Sequence, residues 1–245
     1  MERWLNRVAV VTGASSGIGE AIAKDLVAAG VKVIALGRRL ERLEKNKLDL
    51  SKSHQELYFP QKCDISNLDE VISTFEWIET TFGGTDILVN NAGILKNGNL
   101  VEMDPKVIDE VINTNLRGLI YCTQAAYKSM KKREFNGHIV HINSIHGHRV
   151  PDLSFSTNIY TPTKFAVTAV NEVLRKELNS LGPKIKTTSI SPGVVQTEMA
   201  VANVFEGIAA YLQPEDVSQA VMFAISTPPH VQIHEIIVKP VGELI

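Results

Sequence analysis

The sequence has few of the features that mark secreted, membrane-spanning or nucleic-acid-binding proteins. It contains two cysteines, Cys63 and Cys122, and neither lies in a Cys-x-x-Cys or Cys/His cluster, which predicts reduced thiols and no metal site. No apolar run approaches the ~18 residues that span a bilayer, and the N-terminus has no apolar signal core. The net charge is −2, from 25 Lys plus Arg against 27 Asp plus Glu, which argues against a dedicated nucleic-acid binder. We therefore expect a soluble, cytoplasmic protein without a membrane span.

The chain does contain enough apolar residues for one large core. It has 245 residues, of which 44% are hydrophobic, and this composition excludes disorder as the main state. Short β-branched runs alternate with helix-period stretches along the chain, which predicts βαβ units and a parallel sheet. Without a linker or repeat, we expect one domain over residues 1–245, of class α/β and doubly wound. The candidate strands are 8–12, 32–36, 58–64, 87–90, 138–143, 186–191 and 235–239, and the candidate helices are 17–29, 38–50, 68–82, 105–132, 160–180 and 214–225.

The first βα junction carries a glycine-rich turn. It reads Thr12-Gly13-Ala14-Ser15-Ser16-Gly17-Ile18-Gly19. Glycines let the backbone turn tightly and approach a ligand, and the following helix directs free N–H groups and its positive end at the turn. Because the strand before and the helix after are both present, the turn predicts a dinucleotide phosphate site. A turn without a ligand is the alternative.

The residues after the second strand predict which nicotinamide cofactor binds. An acidic residue there would bond the ribose 2′-hydroxyl of NAD, whereas an arginine accommodates the 2′-phosphate of NADP. Arg38 and Arg39 follow this strand, and the first acid is Glu41. Cations are unfavourable at the positive N-terminal end of a helix dipole, so a bound anion would offset the repulsion on these two arginines. We expect NADP, with Arg38 on the 2′-phosphate and Arg39 beside it; two solvated arginines are the alternative.

A tyrosine and a lysine are spaced for proton transfer. Tyr160 and Lys164 are four residues apart and so share one face of a helix. A nearby ammonium favours the phenolate and lowers the tyrosine pKa, which suits a general acid or base. Ser144 ends the fifth strand and could hold the same substrate oxygen. Pro162 lies between the pair and is harmless only in the first helical turn; a core tyrosine with a surface lysine is the alternative.

Taken together, these segments resemble the short-chain dehydrogenase/reductase family over nearly the whole chain. The family's motifs stand in family order: the turn 12–19, Asp64, Asn90-Asn91-Ala92-Gly93, Asn115, Ser144, Tyr160-x-x-x-Lys164 and Pro192-Gly193 with Thr197. The resemblance implies a Rossmann fold and an NADP-dependent oxidoreductase that moves a hydride between the nicotinamide and an alcohol or carbonyl. A non-catalytic module that senses NADP(H) is an alternative of another class.

The resemblance also implies a role for each matched residue. Tyr160 would be the general acid/base, Lys164 would lower its pKa and bind the nicotinamide ribose, and Ser144 would orient the substrate. Asn115 would hold a water in a proton relay to Lys164, although it could merely cap a helix kink. Asp64 would meet the adenine, or it could be an N-cap. The implied cofactor-binding residues are Gly13, Ser15, Ser16, Gly17, Ile18, Gly19, Arg38, Arg39, Asp64, Ile65, Asn91, Ala92, Gly93, Tyr160, Lys164, Pro192, Gly193, Val195 and Thr197.

Substrate choice is expected to depend on the segments 94–100, 145–158 and 193–210. Their apolar residues suit a lipophilic alcohol or carbonyl; they are Ile94, Leu95, Val150, Leu153, Phe155, Val194, Val195, Met199, Val201, Val204 and Phe205. His146 and His148 are expected to be loop residues near the pocket. Within the family the chain is most similar to insect farnesol dehydrogenases and to animal ketosteroid and carbonyl reductases, so farnesol or farnesal is the expected substrate type and a ketosteroid is the alternative. Excess apolar residues on the helices from Pro105 and Tyr160 predict a homodimer or homotetramer.

Overall fold

A seven-stranded parallel sheet forms the centre of the molecule. The computed structural model describes residues 1–151, 156–201 and 210–242. In this part of the chain the strand order is β3-β2-β1-β4-β5-β6-β7 and every pairing is parallel. The α/β doubly wound prediction is therefore confirmed. The strands are β1 Val8–Thr12, β2 Lys32–Gly37, β3 Tyr58–Lys62, β4 Ile87–Asn90, β5 His138–Ile142, β6 Lys186–Pro192 and β7 Glu235–Val238.

Helices cover both faces of this sheet. They are α1 Gly17–Ala28, α2 Leu40–Leu48, α3 Lys52–Gln55, α4 Leu68–Phe82, α5 Pro105–Ile112, α6 Leu119–Lys132, α7 Tyr160–Leu178, α8 Glu198–Val201 and α9 Pro214–Ser226. One apolar cluster joins the sheet to α1 and α9, and a second joins it to α4 and α6. The strands β1, β4 and β5 are buried along their whole length, which is typical of a parallel sheet covered on both faces.

The strand order reverses between β1 and β4, and this reversal positions the functional site. The chain runs outwards through β2 and β3, then returns to the other side of β1 and continues through β4 to β7. Connections leave the carboxyl ends of β1 and β4 in opposite directions, which opens a crevice there. In open parallel sheets, ligands bind in this crevice.

The prediction of one continuous helix over 105–132 is wrong in the middle of that range. Residues Asn113–Gly118 form a wider π-helical turn between α5 and α6. A Cβ on Gly118 would lie 2.7 Å from the Ile65 carbonyl oxygen, so the helix passes unusually close to that loop. The turn also carries the Asn115 amide out to the backbone of Ile94. Tertiary contacts thus change a helix that local periodicity treats as continuous.

None of the helices in the described part of the chain combines the length and the hydrophobicity needed to cross a bilayer. Two of the three predicted substrate segments are described only in part, because residues 152–155 and 202–209 lie outside the described ranges.

Asp86 anchors the start of the central strands. It is 3% exposed, and its carboxylate accepts hydrogen bonds from the Val8 amide (2.9 Å) and from Arg133 Nη1 (2.7 Å).

We expect Asp86→Asn to lower the free energy of unfolding by about 2 kcal/mol, because hydrogen bonds to a buried charge are among the stronger ones. Chemical denaturation with an unchanged slope measures this loss. Asp109→Asn, at an exposed position of α5, is the control, and equal stability of the two variants would contradict the anchoring role.

Candidate active site

A cleft of about 600 Å³ lies at the carboxyl edge of the sheet, where the strand order reverses. Residues from the ends of the first six strands line it, and they include all of the predicted cofactor-binding residues except Gly19. Of the predicted catalytic residues, Ser144, Tyr160 and Lys164 line the cleft, whereas Asn115 does not. The sequence motifs therefore converge on one cavity although they are spread over 185 positions of the chain, from Gly13 to Thr197.

The glycine-rich turn leaves the N-terminus of α1 open towards the cleft. Gly13 has a φ of +65°, and a Cβ there would lie 2.8 Å from the Ala92 Cα. A Cβ on Gly19 would lie 2.4 Å from Asn91 Nδ2, so this glycine permits close packing rather than ligand approach. Among the described residues, no side chain caps the first amides of α1, and the Ser16 hydroxyl accepts from Arg39. These amides are available to an anion.

Thr12 joins the two strands that flank the crevice. Its fully buried hydroxyl accepts hydrogen bonds from the backbone amides of Asn91 and Ala92, each at 3.0 Å. The Asn91 amide group returns two bonds, to the carbonyls of Thr12 (2.9 Å) and Gly13 (3.1 Å). The end of β4 is thus tied to the glycine-rich turn, which sets the width of the crevice at its centre.

The two arginines after β2 take different positions. Arg38 is exposed and lines the cleft, whereas Arg39 crosses the cleft from the glycine-rich turn to Glu198. Arg39 Nη2 donates to the hydroxyls of Ser15 and Ser16, both at 3.1 Å, and its Nη1 donates to Glu198 at 3.1 Å. Glu198, on α8, also pairs with Arg42, and these guanidinium bonds hold its pKa below the usual value.

The Asp64 carboxylate holds the loop after β3 and is not a helix cap. Its Oδ1 accepts from the Ser66 amide (3.0 Å) and hydroxyl (2.7 Å). The N-cap of α4 is Asn67, which accepts from the amides of Asp69 and Glu70, so the interpretation of Asp64 as the cap is wrong. Asp64 and Ile65 line the cleft, and their contact with an adenine stays a prediction.

Tyr160, Lys164 and Ser144 meet at the inner end of the cleft. Helix α7 begins at Tyr160, so Pro162 falls in the first turn, where its missing N–H needs no helical partner. The four-residue spacing then brings Lys164 Nζ to 5.6 Å from the centroid of the Tyr160 ring. Lys164 is 6% exposed and donates to the Ile142 carbonyl at 3.0 Å, which fixes its ammonium beside β5.

Burial dominates the proton affinities of this pair. It raises the pKa of Tyr160 to about 12, against the smaller opposing effect of a hydrogen bond with Ser144. It lowers the pKa of Lys164 to about 8. The sequence predicted that the lysine would lower the tyrosine pKa, but the net direction in the protein alone is upwards, because desolvation penalises the phenolate more than its neighbours stabilise it.

The Asn115 side chain binds the backbone of Ile94 rather than contacting Lys164. Its Oδ1 accepts from the Ile94 amide at 2.8 Å, and its Nδ2 donates to the Ile94 carbonyl (2.9 Å) and to the Thr163 hydroxyl (3.3 Å). The side chain is 2% exposed and lies in the π-helical turn. The predicted water relay to Lys164 stays a prediction.

The cleft wall differs from the sequence prediction at several positions. Val150 is 71% exposed and lines a separate depression beside Phe165, so its assignment to the substrate wall is wrong. Leu153, Phe155, Val204 and Phe205 lie outside the described residues, as does the side chain of Val201. His146 lines the cleft, as expected of a loop residue near the pocket. Sequence reasoning gave no role to other polar lining residues, among them Thr114, Asn143 and Glu198. No local pattern signals these three, because tertiary contacts bring them to the cleft.

Known proteins share both the sequence and this architecture. The family model for short chain dehydrogenase matches residues 7–206. A farnesol dehydrogenase of Aedes aegypti is 52% identical over 244 residues, which is 99% of each chain. The human dehydrogenase/reductase SDR family member 11 is 40% identical over 256 aligned positions, covering 100% of this chain and 98% of the relative. A solved closed form of serine dehydrogenase complexed with NADP+ superposes with a TM-score of 0.83 at 32% identity, covering 94% and 93% of the two chains.

The family match spans most of the chain, and the glycine-rich turn, Ser144, Tyr160 and Lys164 all line the same cleft. The protein is a member of the short-chain dehydrogenase family of oxidoreductases.

Proposed function

We propose that the chain, as one domain, is an NADP(H)-dependent oxidoreductase that interconverts a lipophilic alcohol and its carbonyl compound, of the farnesol/farnesal type. The observation that carries this proposal is the convergence of Ser144, Tyr160 and Lys164 on one cleft with an uncapped helix N-terminus and two arginines. A module that only senses the cofactor has no need of a buried phenol and ammonium beside the substrate position.

The cleft residues fit an extended dinucleotide. The open amides of α1 suit a diphosphate. The exposed Arg38 guanidinium lines the cleft and suits the 2′-phosphate of NADP, and Arg39, bonded to Ser15 and Ser16, lies beside it. The serine dehydrogenase that superposes on this chain was solved with NADP+, which supports the same choice. When bound, the nicotinamide supplies the hydride chemistry. The Pro192–Thr197 segment would line its nicotinamide end, where it would leave one ring face open to the substrate.

Tyr160 is assigned the proton transfer. A phenol whose pKa is about 12 stays neutral near pH 7 and so holds a proton to donate. The alkoxide that forms when a carbonyl is reduced is far more basic than a phenolate, so the transfer is downhill. Ser144 would hold the same oxygen, and the Lys164 ammonium, within 6 Å of the ring, stabilises the phenolate that remains.

The lipophilic substrate is supported by the wall near these groups. Ile94, Leu95, Val194 and Met199 line the described part of the cleft. The charge of Lys96 is paired with Glu110 at 3.3 Å. The name of the Aedes aegypti relative points to the same substrate class.

We further propose that the enzyme is a cytoplasmic homodimer or homotetramer. Phe165 and Val173 on α7 are 42% and 54% exposed, and Phe223 on α9 and Ile237 on β7 are 59% and 55% exposed. Such apolar side chains are expected where a second copy packs.

Tyr160→Phe tests the catalytic assignment. We expect kcat to fall by about 10²- to 10⁴-fold, because the proton donor is lost, while the Kd for NADPH stays within about threefold. Steady-state NADPH consumption and cofactor fluorescence measure the two effects. Tyr127→Phe, on α6 and outside the cleft, is the matched control. Full activity in the Tyr160 variant would remove the acid/base role, whereas NADPH binding without turnover by the unaltered protein would favour the sensing module.

Arg38→Ala and Arg39→Ala test the cofactor preference. Each substitution is expected to weaken NADPH binding by about 10- to 100-fold, because it removes a charge-assisted hydrogen bond. The affinity for NADH should stay nearly unchanged. Lys45→Ala removes one positive charge from an exposed position of α2 and serves as the control. Equal losses for both cofactors would exclude the 2′-phosphate role.

A substrate panel tests the function as a whole. NADPH consumption is measured with farnesal, keto-steroids, retinal and small dicarbonyls, with NADH in parallel. A strong preference for farnesal with NADPH supports the proposal. Preference for keto-steroids would replace the substrate class, and an even spread would indicate a broad carbonyl reductase.

A further inference from the structure

The cleft contains a histidine that the proposed chemistry does not use. His146 follows Ser144 by two residues and lines the same cavity. Its ring meets the ring of Tyr160 edge to face, with 5.5 Å between centroids and 75° between planes. A polar ring therefore lies beside the tyrosine that the proposed function assigns as proton donor.

The backbone around His146 is held firmly, which makes the position of the ring a property of the fold. The His146 amide donates to the Ser144 hydroxyl at 3.2 Å. The Thr168 hydroxyl of α7 donates to the Gly147 carbonyl at 2.9 Å. A Cβ on Gly147 would lie 2.8 Å from the Lys164 carbonyl oxygen, so this turn packs directly on α7.

Hydrogen bonding determines which ring nitrogen of His146 carries the proton. Nδ1 lies 2.9 Å from the Thr161 hydroxyl oxygen. That hydroxyl donates its own proton to Thr157 Oγ1 at 2.7 Å, so towards His146 it can only accept. This network assigns the proton to Nδ1 and a lone pair to Nε2. Nε2 has no hydrogen-bond partner among the described residues. It is also not one of their fully buried polar atoms that lack a partner, so it is accessible from the cleft.

The imidazole keeps this form at neutral pH. Burial lowers the pKa of His146 to about 4, and the Lys164 charge acts in the same direction. A neutral ring with a bare Nε2 accepts hydrogen bonds and donates none from that nitrogen. It repels the oxygen of a carbonyl substrate, so it does not serve the reacting oxygen, which Ser144 and Tyr160 would hold.

We propose that His146 Nε2 accepts a hydrogen bond from a second, non-reacting hydroxyl of the substrate. The site would then favour lipophilic carbonyl compounds with a hydroxyl on the first or second carbon beyond the carbonyl group, within reach of a ring that touches Tyr160. This inference rests on the proposed oxidoreductase function and adds a feature to its lipophilic substrate class: farnesal itself carries no second hydroxyl, so a hydroxylated carbonyl compound of similar size is expected to be the better substrate. A site that hydrogen-bonds a substrate hydroxyl discriminates against the analogue lacking it.

Matched substrates and one variant test the assignment. Reduction by NADPH is measured for lipophilic α- and β-hydroxyketones and for the same ketones without the hydroxyl. His146→Phe keeps an aromatic edge against Tyr160 but removes the acceptor. His230→Phe, at an exposed position, is the control, and the Kd for NADPH reports whether each variant is folded.

We expect wild type to prefer a hydroxyketone by about tenfold or more in kcat/KM. In His146→Phe we expect the ratio of kcat/KM for hydroxyketone over plain ketone to fall to within about threefold. Two results would overturn the assignment. The first is that the wild-type protein shows no preference for a hydroxyketone with the hydroxyl at either position. The second is that kcat falls equally for both ketones in His146→Phe while the preference is kept. The second result would make His146 a positioning residue for Tyr160. NADPH binding without turnover of any compound would instead refute the proposed function on which the assignment rests.

Discussion

The parallel pairing of all the strands in the described sheet is the constraint on which the site depends. It brings every strand's carboxyl end to one edge, where chain segments must leave for helices on opposite faces. Backbone groups at this edge have lost their strand partners and need others. The Thr12 hydroxyl and the amides of Asn91 and Asn115 supply these partners, each to backbone atoms. The cleft is therefore held open by buried side chains rather than by loops alone.

Burying the side chains of Tyr160 and Lys164 has a free-energy cost, because it disfavours the charged form of each. The partly buried Tyr160 phenol and the buried Lys164 ammonium lie side by side, and desolvation moves their pKa values apart, up for Tyr160 and down for Lys164. Both shifts favour the neutral forms. Ser144 opposes the shift of the phenol, and the Ile142 carbonyl accepts from the ammonium. The pair is thus poised so that a charge developing on one group is stabilised by the other, with little water to screen them.

The fold and the main site residues could be predicted because their signals are local. Buried parallel strands need continuous apolar runs, and a tight βα turn needs glycine, so short windows reveal both. The π-helical turn could not be predicted, because it depends on the contact of Gly118 with Ile65 across the fold. Nor could the pairing of Glu198 with Arg39, which joins residues 159 positions apart. The direction of the Tyr160 pKa was predicted wrongly because the sequence shows the charged neighbour but not the depth of burial.

The walls around the substrate position are held with unequal strength. Asn158, 7% exposed, donates from its amide to the carbonyls of Lys96 (2.6 Å) and Gly98 (3.0 Å), so the first wall segment is tied to the residues just before α7. The third segment is tied at α8 by the contacts of Glu198 with Arg39 and Arg42, between side chains that are 41–57% exposed. Exposed ion pairs contribute little. Within the described residues, the wall near Asn158 is thus tied by hydrogen bonds from a buried side chain, whereas the wall at α8 is tied by ion pairs that water screens.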